Sequence, residues 1–244
     1  MSESLLSIKT RLSSVRSIGK MTKAMKLIAT ARYTKWKSLW DGNKPYEQAM
    51  RESLLLCLQR VDFSHAKEIP HCMMQNNSER KLYIFVTSTL GLCGAYNHNL
   101  FKFYDSVVSP EDDVIFIGEK GYRHYASRQH KAYTNFMHIT SSMTYDDANE
   151  FRHWLDTLYR EGQYKSVEII YTKFKNSISM EVVNKQILPL TKDEIPPVNL
   201  ENIEPMFEPD ATQVVNLIAP HYMDALIYRI FLESNVSEQS ARRN

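Results

Sequence analysis

A glycine-containing turn at residues 87–94, TSTLGLCG, is the stretch with the clearest potential for chemistry. It follows a β-rich run and precedes a helix-compatible segment, the place where backbone amides cradle a phosphate. It lacks the Lys-Ser/Thr ending of a P-loop and the three-glycine spacing of a dinucleotide fingerprint. Cys93 would lie near a helix N-terminus, where thiolates are stabilised, but no His or Asp has a suggestive spacing. A tight structural turn is favoured, with nucleotide binding and a nucleophilic thiol as the alternatives.

Other side chains that could do chemistry form no recognisable site. Glu119, Asp146, Asp147 and Glu150 could act in acid–base catalysis, but acids at helix starts commonly serve the helix dipole. The eight histidines have no cysteine or carboxylate at metal-ligand spacing. We therefore expect no catalytic residue, no metal site and no cofactor.

Composition is that of an ordinary globular protein. The 244 residues are 43% hydrophobic and 24% charged, with a net charge of +2. No apolar run approaches the roughly 20 residues that span a bilayer, so membrane association is expected to be peripheral. The three cysteines, an odd number in a chain of this length, predict reduced thiols in a cytosolic-type compartment.

The first forty residues form the element around which the chain is organised. Residues 5–39 contain no proline and a single glycine, Gly19, and their apolar residues recur at steps of three or four, which predicts one amphipathic helix. Glu3 is the only acid among residues 1–40, so their net charge is +8. Because the whole chain has a net charge of +2, residues 41–244 have a net charge of −6. The cations are Lys9, Arg11, Arg16, Lys20, Lys23, Lys26, Arg32, Lys35 and Lys37.

Several interpretations of this basic helix are open. Its cations could be a solvated face, could bind nucleic-acid phosphates, or could meet an acidic protein surface. The composition also suits a mitochondrial transit peptide, although the pattern continues through Trp36. Cations lie beside a narrow apolar stripe at Arg16, Lys20 and Lys23, which favours a coiled coil whose flanks touch a partner.

Five segments follow from the pattern. We predict the long N-terminal helix at 1–60, a linker at 61–80, an α/β domain at 81–190, an extended proline-rich connector at 191–209 and a C-terminal helix at 210–244. Strands are expected at 81–87, 114–118, 136–140, 166–174 and 178–190, the last as a strand or a hairpin. Helices are expected at 96–107, 119–128 and 145–161. Strands alternating with helices indicate a mainly parallel sheet.

The two terminal helices are expected to pair. The N-terminal helix resumes beyond Gly42 and Pro45, which weaken or bend a helix. The second begins at Asp210, an N-cap candidate, and Pro220 should kink it or mark a restart. Antiparallel pairing would cover both apolar faces.

Four ordered motifs resemble the gamma subunit of F-type ATP synthases. The chain has IKTRLSSVRSIGKMTKAMKLIATAR at 8–32, STLGLCGAYN at 88–97 and IGEKG at 117–121. Near its end it has FEPD at 207–210 with APHYMDALIYRIFLES at 219–234. Each motif is similar to a family segment, and together they span most of the chain.

The resemblance implies a Rossmann-like α/β domain with an antiparallel coiled coil of the terminal helices. It also implies a central rotor shaft, without a catalytic site or cofactor, that couples ATP synthesis or hydrolysis in an alpha–beta ring to rotation and proton transport. The implied partners are the alpha and beta subunits, an epsilon/delta-type stalk subunit and the membrane rotor ring, with neither nucleic acid nor a small-molecule substrate. The implied location is the periphery of an energy-transducing membrane, on the cytoplasmic face of a bacterial membrane or the mitochondrial matrix side.

The resemblance also assigns contact residues. The ring would be contacted by Arg16, Lys20, Met21, Lys23, Met25 and Lys26. The foot of the shaft would be contacted through Lys44, Tyr46, Phe207 and Glu208. The coiled-coil seam would contain Ile8, Leu12, Val15, Ile28, Leu226 and Ile230.

Two departures from the family pattern keep alternatives open. The family's C-terminal helix runs on for many turns, whereas this sequence stops at Asn244, so either its last segment is missing or the shaft is short. Thr89-Leu90 replaces Asp-Arg and Ala95-Tyr96 replaces Gly-Leu. A paralogous ATPase that drives another process, or a basic coiled-coil protein that binds nucleic acid, are the alternatives.

Overall fold

A five-stranded sheet with two long terminal helices forms the molecule. The computed structural model describes residues 5–59, 61, 70–195 and 206–244. The strand order is β3-β2-β1-β4-β5; β1 to β4 are parallel, and β5 is antiparallel to β4. The predicted mainly parallel sheet is confirmed. The strands are β1 (Lys81–Val86), β2 (Asp113–Ile117), β3 (Lys131–Tyr133), β4 (Ser166–Phe174) and β5 (Met180–Leu188).

The helices begin and end close to the predicted positions. Both terminal helices run unbroken through their prolines, Pro45 in the first and Pro220 in the second. The kink or restart expected at Pro220 does not interrupt the second helix, whose neighbouring Ala219 and Tyr222 are fully buried and hold it in the core. The helices are α1 (Leu5–Leu58), α2 (Tyr96–Val107), α3 (Glu119–Tyr125), α4 (Tyr145–Arg160) and α5 (Ala211–Arg243).

Alternating side chains of β1 divide the core into two layers. Leu82, Ile84 and Val86 point to one face of the sheet, where α1, α4 and α5 pack. Tyr83 and Phe85 point to the other face and pack with α2 and α3. This follows from the two-residue period of a strand that is buried on both faces.

The third strand lies earlier than predicted. We expected it at 136–140, but β3 pairs with β2 at Lys131–Tyr133, and 136–140 leads into a 3₁₀ turn. The aromatic ring of Phe136 packs against Phe151 and Trp154 of α4, at centroid distances of 5.2 and 5.3 Å, so residues 136–140 are held by side-chain packing and not by strand pairing.

Side-chain caps begin two of the helices. Asp210 Oδ1 accepts the backbone N–H of Gln213 at 3.0 Å, as predicted for an N-cap. Thr144 and Asp147 form a reciprocal capping box at the start of α4. These contacts satisfy amide groups that a helix start leaves without partners.

The terminal helices pair in antiparallel fashion. The guanidinium of Arg229 lies 5.2 Å from the Trp40 ring, and that of Arg243 lies 4.4 Å from the Tyr33 ring. Residue numbers thus rise along α5 as they fall along α1, as expected for a coiled coil. Residues 62–69 of the predicted linker and residues 196–205 of the predicted connector lie outside the described residues.

Candidate functional site

The first part of α1 extends beyond its partner helix. At about 1.5 Å per residue, the 54 residues of α1 span roughly 80 Å and the 33 residues of α5 roughly 50 Å. The last turn of α5 lies at Tyr33, and Ala29 is the first buried side chain among those described in α1. Residues 5–28 therefore form a segment, the uncovered segment, that α5 does not reach.

An apolar stripe runs along the uncovered segment. Its large side chains are between 48% and 73% exposed. Contiguous apolar surface of this kind marks an interaction site when it persists on a soluble protein. The stripe contains Ile8, Leu12, Val15, Ile18, Met21 and Ile28, and Leu5 and Leu27 are exposed beside it.

Cations flank the stripe, and the sequence of residues 5–28 contains no acid. The side chains of Arg16, Lys20, Lys23 and Lys26 are exposed, and Met25 is half-buried. The hydroxyl of Thr22 donates to the Gly19 carbonyl at 3.1 Å, so this side chain is used within the helix. The uncovered segment therefore offers aliphatic surface and positive charge, which suits an acidic protein surface with apolar patches.

Coiled-coil pairing covers only part of the predicted seam. Leu226 and Ile230 of α5 are buried in the main core, together with Trp36 and Leu54 of α1. The predicted α1 positions are exposed in this chain; they are Ile8, Leu12, Val15 and Ile28. Comparing the lengths of the two helices would have identified Trp36 and Leu54, because a shorter helix cannot cover both ends of a longer one.

The predicted foot residues lie in two places. Lys44 and Tyr46 are next to Glu47, which lies opposite Arg229 near the middle of α5, whereas Phe207 and Glu208 precede the first turn of α5. Lys44 and Glu208 are exposed, and Phe207 is half-buried and packs against the main core. Tyr46 packs edge-on against Tyr145 at the start of α4, with the ring centroids 6.1 Å apart. Part of the predicted foot surface is thus used to attach α1 to the α/β domain.

The glycine turn is engaged by protein groups. Arg242 of α5 donates to the carbonyls of Leu90 at 2.8 Å and Gly91 at 2.6 Å. Asn97 donates to Ser88 Oγ at 2.7 Å, and the Cys93 thiol is buried beside this pair. These contacts support the structural interpretation of the turn, which attaches the last turn of α5 to the sheet. Sequence reasoning missed Arg242, and nothing in its local pattern indicates the contact.

Neither a metal cluster nor a membrane-spanning helix is found in the part of the chain that the structure describes. Among the described residues, no group of three or more His, Cys, Asp or Glu side chains is arranged to hold a metal ion. None of the described helices combines the length and apolar character needed to cross a membrane.

Comparison with known proteins identifies the family. A family model described as ATP synthase matches residues 4–244. The ATP synthase gamma chain of Ureaplasma urealyticum serovar 10 is 33% identical over 99% of this chain and 85% of its own length. The chain belongs to the ATP synthase gamma chain family. The gamma chain of Mycoplasma mobile is 31% identical, over 98% of this chain and 84% of its own length.

Solved structures share the fold of this gamma-family chain. The central stalk of the Tetrahymena thermophila mitochondrial ATP synthase superposes with a TM-score of 0.61 at 21% identity, over 92% of this chain and 96% of that one. The rotor of the Euglena gracilis mitochondrial ATP synthase superposes with a TM-score of 0.61 at 15% identity, over 96% of this chain and 86% of that one. The predicted family is confirmed, and with it the role of gamma chains as the shaft subunit of ATP synthase.

Proposed function

We propose that the uncovered segment is the surface through which this shaft engages the alpha–beta ring. The observation that carries the proposal is the exposed apolar stripe of residues 5–28, flanked by cations and left bare by α5. The contact residues would be Arg16, Lys20, Met21, Lys23, Met25 and Lys26, facing acidic loops of the beta subunits.

Charge and apolar contact would have separate roles in this interface. An exposed ion pair contributes only about 0.2–1 kcal/mol, so no single cation would hold the ring in one orientation. Several such pairs at successive helix positions would transmit force while letting the shaft pass from one beta subunit to the next. The apolar stripe would supply contact area without fixing an orientation.

The foot would couple the shaft to the membrane part of the complex. Lys44, Tyr46, Phe207 and Glu208 would meet an epsilon/delta-type stalk subunit and the membrane rotor ring. Lys20 and Lys44 are 24 helix positions apart on α1, or roughly 36 Å. Force applied at the ring would therefore reach the foot through one continuous helix.

Catalysis would belong to the ring. Nucleotide turnover would take place in the alpha and beta subunits, and this chain would convert it to rotation coupled to proton transport, in either direction. The engaged glycine turn supports this division of labour. The complex would sit at the periphery of an energy-transducing membrane.

Charge reversal on the uncovered segment tests the ring contact. The chain carrying Lys20→Glu and Lys23→Glu is reassembled with its alpha and beta subunits, and ATPase activity and rotation are measured. We expect slowed or uncoupled turnover, while far-UV circular dichroism and melting temperature stay unchanged because both side chains are exposed.

A matched control separates local contact from overall charge. Lys102→Glu with Lys192→Glu changes the net charge equally at exposed sites outside α1. The control should retain normal turnover. Equal activity of the two double variants would refute the contact assignment, and recovery of the chain without alpha and beta subunits in native mass spectrometry would refute the shaft role in this complex.

A further inference from the structure

A cationic cavity of about 210 Å³ lies between α1, α5 and strands β4 and β5. It shares no residue with the proposed ring contact, so the two can be tested separately, and it shares Lys44 with the proposed foot surface. Four elements contribute charged side chains to it. The cations are Lys44, Arg51, Lys173, Lys185 and Arg229, and the acids are Glu47 and Glu233.

The two arginines keep hydrogen-bonding capacity. Within the described part of the chain, the buried Nε of Arg51 and the buried Nη1 of Arg229 have no hydrogen-bond partner. The nearest carboxylate is that of Glu47, whose oxygens lie 3.8 Å from Arg51 Nη1 and 3.9 Å from Arg229 Nε. Both distances exceed those of a hydrogen bond. The Trp40 ring, 5.2 Å from the Arg229 guanidinium, supports it on one side.

The second acid of the cavity is occupied elsewhere. Glu233 Oε1 accepts the backbone N–H of Phe174 at 3.2 Å. Burial raises the pKa of this carboxyl, against the opposing effects of the Phe174 amide, Arg229 and Lys173. Arg51 Nε and Arg229 Nη1 are buried donors, and a buried donor without an acceptor is costly, which favours a ligand that accepts hydrogen bonds.

We propose that this cavity binds a phosphate-type oxyanion. Guanidinium groups present planar arrays of donors that match the oxygens of phosphate, and hydrogen bonds to charged groups are the strong ones. Arg51 and Arg229 would donate from the interior, and the exposed Lys44 and Lys173 would close the rim. The oxyanion could be free phosphate or the phosphomonoester head of a lipid, since both present the same chemistry.

Calorimetric titration of the full chain with inorganic phosphate tests the site, with ionic strength held constant by chloride. We expect saturable binding of one phosphate per chain. Lys44→Gln with Lys173→Gln should weaken the affinity about tenfold, because each removes a charge-assisted contact. The matched control, Lys102→Gln with Lys192→Gln, should bind as the unmodified chain does. Lack of saturation, or equal weakening by both pairs, would overturn the proposal.

A third variant tests the geometry rather than the charge. Arg229→Lys keeps the positive charge but removes the planar fork, so it should also weaken phosphate binding about tenfold. If Arg229→Lys unfolds the chain, the site is tested instead by the melting temperature of the unmodified chain. Phosphate should raise that melting temperature, and chloride at the same ionic strength should not. Unchanged phosphate affinity in a folded Arg229→Lys chain, or no phosphate-dependent rise in melting temperature, would count against the site.

Vesicles distinguish the two sources of the oxyanion. Phosphatidylcholine vesicles with and without phosphatidic acid are mixed with the chain, and inorganic phosphate is added as competitor. Binding that needs phosphatidic acid and is displaced by phosphate assigns the site to a lipid head group; calorimetric binding of phosphate without vesicle binding assigns it to the free ion. Saturable binding of an acidic polyglutamate peptide that requires Lys44 and Lys173, with no phosphate binding, would overturn the proposal.

Discussion

Gly118 lies where the chain leaves β2 and enters α3, in the IGEKG motif. Its φ of 88° is in the region that favours glycine, and a Cβ placed there would lie 2.1 Å from the Thr87 carbonyl oxygen. Thr87 cannot move away, because its hydroxyl accepts the Gly121 amide at 2.9 Å and donates to the Ile117 carbonyl at 3.1 Å. The motif is therefore explained by the close approach of two backbone segments.

Gly118→Ala should lower the free energy of unfolding by about 3 kcal/mol or more, because backbone strain and a backbone clash combine. Gly162→Ala is the matched control: its φ is 74°, but no atom lies within 4 Å of the added Cβ. That change should cost only about 1 kcal/mol. Urea unfolding measures both, and equal losses would show that the contact with Thr87 is unimportant.

Two buried glutamates should give pH dependences of opposite sign. Burial raises the pKa of Glu233. Burial also acts to raise the pKa of Glu168, but hydrogen bonds from Lys81 and Asn184 outweigh it and lower that pKa. The native state therefore holds the proton of Glu233 more tightly than the unfolded chain does, and that of Glu168 less tightly.

Stability from Glu233 should thus fall as pH rises through its raised pKa, and stability from Glu168 should fall as pH drops toward its lowered one. Glu233→Gln should reduce the first dependence and Glu168→Gln the second. Urea unfolding at several pH values between about pH 3 and pH 8, a range that includes the usual pKa of a glutamate, measures how the free energy of unfolding changes with pH in each variant. Parallel changes in the two variants would contradict the assigned shifts.

At the scale of elements, a buried ion pair joins α4 to α5. Arg152 Nε donates to Asp224 Oδ1 at 2.7 Å, and Asn149 donates to the other carboxylate oxygen at 2.9 Å. Asp224→Ala should cost about 3–5 kcal/mol, because it leaves Arg152 buried without its partner. Asp156→Ala, which breaks the partly exposed pair with Arg160 within α4, should cost less than about 1 kcal/mol. Thermal unfolding compares them, and similar losses would argue against the role of burial.

The two ends of α1 should differ in local stability. Residues 36–55 include side chains buried in the main core, such as Trp36 and Leu54, whereas no side chain of residues 8–25 is buried. Isolated helices are marginal in water, so we expect amides of 8–25 to exchange with deuterium at least about a hundredfold faster than those of 36–55. Exchange measured by mass spectrometry tests this. Addition of the alpha–beta ring should slow the first set, and equal protection in the free chain would contradict the expectation.

Helix and strand positions were largely predictable, and the exceptions have physical reasons. Asp210 and the apolar periods of α4 and β4 are local signals, so those elements begin and end near their predicted positions. β3 has only three residues and depends on pairing with β2, which no local pattern reveals. The burial of Trp36 and Leu54 depends on how α1 and α5 pair in space, and this is a tertiary property.

At the scale of the whole molecule, charge is unevenly distributed. The first 40 residues carry nine cations and one acid, although the net charge of the chain is only +2. If the proposed ring contact is made, association with the alpha–beta ring should be steered electrostatically and slow as salt is added. Lys20→Glu with Lys23→Glu should flatten the salt dependence of the association rate in stopped-flow measurements. An unchanged slope would place the contact elsewhere on the shaft.

Attachment of Arg242 to the turn at Leu90 and Gly91 has a mechanical consequence. The last turn of α5 packs on α1 near Tyr33 and is joined to the sheet by this contact. Torque carried by α1 would therefore enter the α/β domain at this level as well as through the contacts of α5 with α4. The paired part of α1, α5 and the sheet should turn together as one stiff body.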